Sequence, residues 1–232
     1  MTNPTYLVIQ NTYDTVEIGL YSAGRRIDRV CEDKMSAGKM TVPLVSALLE
    51  RNNCSFSQLT FIAANQGPAP FTTLRIIIAT VNGFAFATSL PLVGLDGLRA
   101  LLEQHQDDNH PIIIALLDAF NKDVYVGIAQ NGQIIYTGCQ SIEEFLPYIK
   151  QTYSEHKIRF VGVGSVMYVE QINAVLHNRA TIIKENQLCS LDFLAQQAYK
   201  KWMTQQDVSS QLFPLYLKQQ QYKNQLGQMK KI

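Results

Sequence analysis

The chain has 232 residues, enough for one large domain or for two small domains of about 100 residues each. Hydrophobic residues make up 47% of it, so a sizeable core can form. The 20 basic residues nearly balance the 19 acidic ones and the net charge is +1, which excludes a chain that is basic overall and leaves room only for a local nucleic-acid-binding patch.

The start of the chain lacks the basic residues, apolar stretch and small-residue cleavage site of a signal peptide, so we expect a cytoplasmic protein. One uncharged segment, Ile76–Leu95, is apolar enough to raise the question of a membrane span. Pro91 would end a spanning helix, and the part before it is shorter than the roughly 20 apolar residues that a bilayer requires. We therefore predict a buried helix followed by a buried strand, and no membrane association.

The first half of the chain begins with three short apolar or alternating segments separated by turns, which predict an antiparallel meander. Helical and strand-like apolar spacing alternate after it. The predicted strands are Tyr6–Gln10, Thr15–Tyr21, Arg25–Cys31, Leu59–Ala64 and Leu92–Gly94, and the predicted helices are Lys39–Arg51, Thr72–Thr88 and Asp96–Gln104, with Asp96 as an N-cap.

The polar stretch Gln106–Pro111 predicts a linker, and the pattern then restarts. We therefore expect two domains, at residues 1–108 and 109–232, with a fraying tail after Pro214. The predicted strands are Ile112–Leu117, Asp123–Ala129, Gln133–Thr137 and Phe160–Gly164, and the predicted helices are Ile142–Gln151, Met167–His177 and Leu191–Met203.

The restart is an internal repeat with an offset of 108 residues. Val16, Ile18, Gly19, Leu20, Gly24 and Ile27 match Val124, Val126, Gly127, Ile128, Gly132 and Ile135. Repeats of this length indicate a duplicated domain. A meander followed by alternating helices and strands, present twice, resembles the actin, hexokinase and Hsp70 (ASKHA) superfamily. The predicted fold class is α/β, with two tandem actin-like, ribonuclease H-like domains, each built on a mixed five-stranded sheet.

The superfamily resemblance implies ATP between the halves and an aspartate at the end of the first strand, because magnesium prefers hard oxygen ligands. The 108-residue offset pairs Gln10 with Asp118. Gln10 does not have the negative charge of an aspartate, so the expected acidic residue is present in the second half of the chain only. Asp118 is therefore a candidate nucleotide-proximal residue, and a turn residue that caps the hairpin is its alternative interpretation.

Several motifs resemble those of the bacterial TsaB (YeaZ) family, and their order covers nearly the whole chain. Asn65–Arg75 is similar to the family signature Gly-Pro-Gly-Ser-Phe-Thr-Gly-Leu-Arg, and Pro214–Lys218 to its Pro-x-Tyr-Leu-Arg ending. Ala69 and Thr73 replace two signature glycines and Pro70 replaces the serine. Glycines let backbone N–H groups approach a phosphate, so these changes weaken a phosphate-binding loop. The further similar segments are Ile76–Gly83, Leu90–Gly94 and Leu116–Ala119.

The family resemblance implies a non-catalytic subunit. TsaB is an inactive paralogue of TsaD, which binds metal and ATP and transfers a threonylcarbamoyl group to the adenosine beside the tRNA anticodon. TsaB forms a heterodimer with TsaD, and the ATPase TsaE joins them. This implies that the chain has no catalytic residues, no metal and no cofactor of its own, that its partner holds ATP or ADP and the metal, and that contact with tRNA is indirect. The paralogues meet through the first two helices of the N-terminal half.

The residues themselves also favour a binding role. Apolar side chains surround the predicted helix Thr72–Thr88, so its outer side needs a cover. Another subunit is one candidate, either TsaD or a second copy of this chain, and complete burial within the chain is the alternative. The expected partner surface consists of Met40, Leu44, Ile77, Val81 and Phe84, and Val81→Asp is expected to abolish co-purification with TsaD without unfolding the chain.

An enzyme is the alternative function, namely a divergent small-metabolite kinase or ATPase of the same superfamily. Its nucleotide-proximal candidates are Gly67, Thr72, Arg75 and Asp118, although Arg75 could instead brace its loop against an acid. The sequence has no His-x-x-x-His pair, no P-loop motif and no two cysteines close together, so we predict no metal site and mostly buried thiols. A third hypothesis is direct tRNA binding by Lys218, Lys223, Lys230 and Lys231.

Overall fold

The computed structural model describes residues 3–107, 109–185, 188–218, 222–223 and 229–230. The strands are β1 (Thr5–Asn11), β2 (Thr15–Ser22), β3 (Arg25–Asp33), β4 (Phe61–Asn65), β5 (Leu92–Leu95), β6 (Ile112–Asp118), β7 (Asp123–Gln130), β8 (Gln133–Ser141), β9 (Ile158–Val161), β10 (Ala180–Ile182), β11 (Val208–Ser209), β12 (Tyr222–Lys223) and β13 (Met229–Lys230). The helices are α1 (Ala37–Arg51), α2 (Phe71–Thr88), α3 (Gly97–Gln104), α4 (Ile142–Thr152), α5 (Val163–Met167), α6 (Val169–Leu176) and α7 (Leu191–Met203).

The chain forms two compact units, and the second half of the sequence contributes to both. Met1–Ala100 and Leu188–Leu215 make the first unit, and Leu101–Gln187 and Tyr216–Ile232 make the second. The sequence pattern placed one boundary between residues 108 and 109. The structure differs because Leu188–Leu215, which contains α7, packs with the first unit.

The first unit is built on a six-stranded mixed sheet in the order β11-β5-β4-β1-β2-β3. The meander β1–β2–β3 is antiparallel, as expected, and β4 and β5 run parallel to β1. Five strands were predicted, and the sixth is the short β11, which pairs antiparallel with β5. On one face of the sheet, Leu7 and Ile9 join a core that includes residues of α1 and α2.

Aromatic side chains hold α7 on the other face of this sheet. The ring of Tyr6 stacks on Phe61 with centroids 4.4 Å apart, and Phe61 stacks on Trp202 of α7 at 4.8 Å. The Tyr6 hydroxyl donates to the carbonyl of Ala195 (2.9 Å), and the Tyr21 hydroxyl donates to Asp192 (2.8 Å). Burial and the Asp192 carboxylate raise the pKa of the Tyr21 phenol. The two hydrogen bonds join residues 189 and 171 positions apart, so local periodicity gives no sign of them.

The second unit repeats the same plan with five strands, in the order β10-β9-β6-β7-β8. The predicted strand Phe160–Gly164 is wrong at its end, because β9 stops at Val161 and Gly162 turns the chain into α5. Gly162 has φ of 97°, and a Cβ there would lie 2.4 Å from the carbonyl oxygen of Leu116. The central strand therefore leaves space for a glycine only. The short strand β10 had no counterpart in the prediction.

The repeat inferred from the sequence is present in the two outer hairpins. β2 and β3 correspond to β7 and β8, with each residue 108 positions earlier. Both hairpins carry a bulge at the same place, because the ladder skips Ile27 in one and Ile135 in the other. The connecting turns also match: Ala23 and Gly24 have φ of 50° and 78°, and Asn131 and Gly132 have φ of 49° and 77°.

Within the described part of the chain, α2 is the one helix long and apolar enough to cross a bilayer by length and composition. Its buried residues form a single stripe of Leu74, Ile77, Ile78, Val81 and Ala85, which belongs to the core of the first unit. The helix thus serves to cover the sheet.

The position of α7 leads to a prediction about fragments. Residues 1–108 alone should not unfold cooperatively, because Tyr6, Tyr21 and Phe61 would lose the cover that α7 provides. Joining 1–107 to 188–215 through a flexible Gly/Ser linker should restore a cooperative urea transition, followed by the fluorescence of Trp202 and by circular dichroism. Equal cooperativity in the two fragments would contradict the division into units.

Candidate functional site

The ends of the central strands, β1 and β6, are the first candidate site, and the strand register corrects the predicted correspondence between them. Asn11 pairs with Val16, and Asp118 pairs with Val124, which is the repeat partner of Val16. Asn11 is therefore the counterpart of Asp118, whereas the sequence offset had assigned Gln10. The offset fails here because the β6–β7 connection is one residue longer than the β1–β2 connection, Thr12–Asp14.

Both residues at the end of β1 are buried amides. Gln10 is on the α7 side, where its Nε2 donates to Glu17 Oε2 (2.6 Å) and to the carbonyl of Cys189 (3.3 Å). Asn11 is 2% exposed, and its amide nitrogen and oxygen have no hydrogen-bond partner among the described residues. Amides carry no charge, and the Glu17 carboxylate accepts the bond from Gln10. This strand end therefore does not fit a magnesium–phosphate complex, which calls for carboxylate ligands.

The end of β6 keeps its acid but uses it locally. Asp118 is half-buried, and its Oδ1 accepts a hydrogen bond from the backbone N–H of Phe120 (2.9 Å). This contact is the one expected of a turn residue. Asp123, on the far side of the same turn, forms an ion pair with Lys218 (2.8 Å). The negative charge of Asp123 therefore already has a cation from the chain itself.

Two backbone N–H groups of the signature loop between β4 and α2 form hydrogen bonds within the first unit. The N–H of Gly67 donates to Asn65 Oδ1 (2.9 Å), and the N–H of Gln66 donates to the carbonyl of Leu95 (2.8 Å). Pro68 and Pro70 have no N–H to offer. Gly67 is required for packing, since its φ is 107° and a Cβ would lie 2.9 Å from Leu74 Cδ2. The loop therefore does not fit a phosphate cradle.

The remaining nucleotide-proximal candidates lie at the start of α2. Thr72 and Arg75 are exposed in its first turns, and the guanidinium carbon of Arg75 lies 3.8 Å from the centroid of the Phe71 ring. This stacking positions the arginine on its own helix. Gly67, Thr72 and Arg75 belong to the first unit, whereas Asp118 belongs to the second.

The described residues contain no group of three or more His, Cys, Asp or Glu side chains that could hold a metal ion. All four cysteines are free. The prediction of mostly buried thiols is wrong, because Cys189 is buried, Cys54 and Cys139 are half-buried and Cys31 is exposed. Burial and the carboxylate of Asp123 raise the pKa of the Cys139 thiol to about 11, so this thiol is not a nucleophile at neutral pH.

A cavity of about 300 Å³ lies in the second unit, lined by residues of α4 and α6 together with Lys122 and Tyr168. Its lining is mostly apolar, and Lys122 and Glu143 form an ion pair of 2.7 Å within it. The lining includes none of the residues predicted to bind a nucleotide.

The predicted partner surface is corrected by the orientation of α2. Ile77 and Val81 are fully buried in the core of the first unit and have no surface to offer. Leu44 and Phe84 are half-buried and pack against the same core, and Met40 is also half-buried. The sequence showed apolar residues around the whole helix and so did not indicate which stripe faces the sheet.

Another stripe of α2, together with its neighbour α1, remains uncovered. Phe86 is 94% exposed and Val42 is 51% exposed. At Gly83, a Cβ would meet no atom within 4 Å. On α2 the exposed positions Ala79, Gly83 and Phe86 recur at intervals of four and three residues and so lie on one side of the helix, and on α1 Pro43 and Ala47 are four residues apart. We call this surface the outer α1–α2 face; it comprises Val42, Pro43, Ala47, Ala79, Gly83 and Phe86, all exposed and uncharged.

The tail residues of the tRNA hypothesis are only partly described. Lys218 forms the ion pair with Asp123. The side chains of Lys223 and Lys230, and all of Lys231, lie outside the described residues.

Comparisons with known proteins identify the relatives of this chain. Residues 38–225 match the family model described as TsaD, tRNA N6-adenosine threonylcarbamoyltransferase. The tRNA threonylcarbamoyladenosine biosynthesis protein TsaB of Haemophilus influenzae is 25% identical over 129 residues, which cover 54% of this chain and 53% of that protein. The matched part thus spans about half of that relative's length.

Solved structures establish the fold. A Pseudomonas aeruginosa protein described as similar to peptidase YEAZ superposes with a TM-score of 0.74 at 24% identity, covering 93% of this chain and all of the other. YeaZ from Pseudomonas aeruginosa gives a TM-score of 0.70 at 23% identity, covering 92% and 100%. The predicted fold class, tandem actin-like units with mixed sheets, is confirmed. Since the family model covers more than half of the sequence, the chain belongs to the family described as TsaD, tRNA N6-adenosine threonylcarbamoyltransferase, and the relatives and structures to which it is similar carry the names TsaB and YeaZ.

Proposed function

We propose that the chain is a non-catalytic subunit of the complex that adds a threonylcarbamoyl group to the adenosine next to the tRNA anticodon. In this proposal it binds the TsaD homologue of its own cell and activates it. The outer α1–α2 face is the binding surface, and the work of catalysis belongs to the partner.

The outer α1–α2 face is the observation that carries this proposal. A surface of small and apolar side chains on two neighbouring helices, with an almost fully exposed phenylalanine and with charged residues (Lys39, Glu50 and Arg75) towards its ends, is costly to leave in water and is typical of an interface. Ala79 and Gly83 on α2 are small, so another helix could approach the backbone closely. Within the described part of its own unit, Gly83 has no contact that requires a glycine. A partner helix that packs against the backbone at position 83 would explain why this residue is a glycine.

The strand ends and the signature loop support the non-catalytic part of the proposal. A neutral amide pair replaces the acid at the end of β1, and Asp118 accepts a bond from its own turn. Pro68 and Pro70 have no N–H and those of Gln66 and Gly67 are already used, so these four loop residues offer no backbone donor to a phosphate. ATP or ADP and the metal are accordingly assigned to the partner.

The wider assembly follows from the same proposal. The ATPase TsaE joins the pair, contact with tRNA is indirect, and the complex works in the cytoplasm. When the TsaD homologue is absent, the same helical face could join two copies of this chain, since its exposed charges are of both signs (Lys39 and Arg75 against Glu50) and an isologous contact can pair them.

Gly83 provides a matched pair of substitutions. Gly83→Ala should stabilise the chain by about 0.5–1 kcal/mol, because alanine is the better helix former and its Cβ meets no atom. Gly83→Arg should also fold but should lose co-elution with the TsaD homologue in size-exclusion chromatography. Ile135→Arg, at a position 51% exposed in the second unit, is the control and should retain co-elution. Unchanged binding by Gly83→Arg would exclude this face.

Two aspartate substitutions on α2 separate burial from binding. Val81→Asp should cost about 3–5 kcal/mol, because it puts an unpaired carboxylate in the core. Ala79→Asp, on the exposed stripe, should change stability by less than about 1 kcal/mol and still abolish co-elution. Urea unfolding of each variant alone gives the first quantity. A stable, non-binding Val81→Asp would instead restore the surface predicted from the sequence.

The function itself is tested by genetics and by an assay of the chain alone. Deletion of the gene should remove threonylcarbamoyladenosine from tRNA, measured by mass spectrometry of nucleosides. The wild-type chain should restore it and Ala79→Asp should not. The isolated chain with magnesium and ATP should show no hydrolysis above buffer. Turnover without a partner would support the divergent kinase or ATPase and overturn the proposal.

A further inference from the structure

The turn between β6 and β7 has an unusual backbone. Phe120, Asn121 and Lys122 have φ of 60°, 56° and 64°, and none of the three is a glycine. Asparagine tolerates the left-handed region, but phenylalanine and lysine adopt it only at a cost in conformational energy. Three successive residues of this kind require contacts that hold them in place.

Local hydrogen bonds supply part of that support. The N–H of Phe120 donates to Asp118 Oδ1 (2.9 Å), and the N–H of Asp123 donates to the carbonyl of Phe120 (3.0 Å). The N–H of Ala119 donates to the carbonyl of Asp123 (3.0 Å). These bonds close the turn and leave the carbonyls of Ala119 and Phe120 able to accept further bonds.

The ammonium group of Lys218 supplies the rest. Its Nζ lies 2.8 Å from Asp123 Oδ2, 2.8 Å from the carbonyl oxygen of Ala119 and 3.5 Å from that of Phe120. An ammonium group has three donors, and the turn presents three oxygens to it. The third contact is long and therefore weak.

A second lysine at the same turn, Lys122, provides a comparison with Lys218. Lys122 pairs with Glu143 at 2.7 Å, but both side chains are mostly exposed, at 72% and 67%. The Lys218 and Asp123 side chains are only 35% and 31% exposed, so water screens their attraction less. Lys218 also lies close enough to Cys139 to counteract the rise that Asp123 causes in its pKa.

We infer that the Ala119–Asp123 turn is a built ammonium-binding site and that the chain fills it with its own Lys218. The ammonium group neutralises Asp123 and bonds the carbonyls that the left-handed turn directs outward. Lys218, the last residue of the ending Pro214–Lys218, thereby has a physical role in the second unit that requires no partner protein. When the lysine side chain is removed, the site should accept a small primary ammonium ion from solution.

Chemical rescue of Lys218→Ala in the full-length chain tests this site. The variant should unfold about 2–6 °C below wild type, given the loss of a partly buried charged contact. Ammonium or methylammonium chloride should recover at least half of the loss. Tetramethylammonium chloride at the same ionic strength should not, because it has no N–H donor. Wild type should respond equally to all three salts.

Further variants keep the test decisive. Lys122→Ala should unfold within about 1 °C of wild type and show no selective response to ammonium, since its ion pair is exposed. Asp123→Asn keeps the carbonyls but removes the charge, so it should lose stability and respond weakly to ammonium. Lys218→Met, which keeps most of the aliphatic side chain but has no ammonium group, replaces Lys218→Ala if the latter does not fold.

Hydrogen exchange provides the local measurement. The amides of Phe120 and Asp123 should exchange at least about tenfold faster in Lys218→Ala, and methylammonium should slow them again. The inference is overturned if Lys218→Ala matches Lys122→Ala in stability and exchange. It is also overturned if ammonium and tetramethylammonium have the same effect on Lys218→Ala.

Discussion

Each unit depends on a central strand whose alternate side chains face two different layers. In β1, Leu7 and Ile9 face the core beneath α1 and α2, whereas Tyr6 faces α7. A shift by one residue exchanges the layers for every side chain in the strand. The register therefore decides more than the stability of the sheet. It also decides that Asn11, and not Gln10, ends the row that corresponds to Asp118.

The same alternation explains why the two strand ends differ in chemistry. Gln10 lies on the α7 side and forms bonds there, so its amide belongs to the packing of α7. Asn11 ends the core-facing row and is buried without a described partner, which is costly for an amide. In the second unit the corresponding acid caps its own turn, and Lys218 neutralises the neighbouring Asp123. The duplicated fold is thus retained, while the acid is absent at the end of β1 and is hydrogen-bonded within its own turn at the end of β6.

A helix that covers a sheet needs one apolar stripe, and α2 has a second. The first stripe meets the strands and contributes to the free energy of folding. The second adds nothing to folding, because no described atom lies near a Cβ placed at Gly83 and Phe86 is almost fully in water. Residues that stability does not require are the best indication of binding, and on this helix they are Ala79, Gly83 and Phe86.

The sequence alone determined the class of the fold, the duplication and nearly all the elements, because apolar spacing and turn residues act over a few neighbouring positions. Its 108-residue offset paired Ile27 with Ile135, and the structure shows that each of them lies at a bulge. Tertiary structure alone decided that α7 joins the first unit, that Ile77 and Val81 are buried, and that Lys218 meets Asp123. Each of these depends on contacts between residues far apart in the chain or on which side of a helix faces the sheet. Which of these arrangements forms depends on how much surface each one buries. A local pattern of residue types does not show how much surface each arrangement would bury.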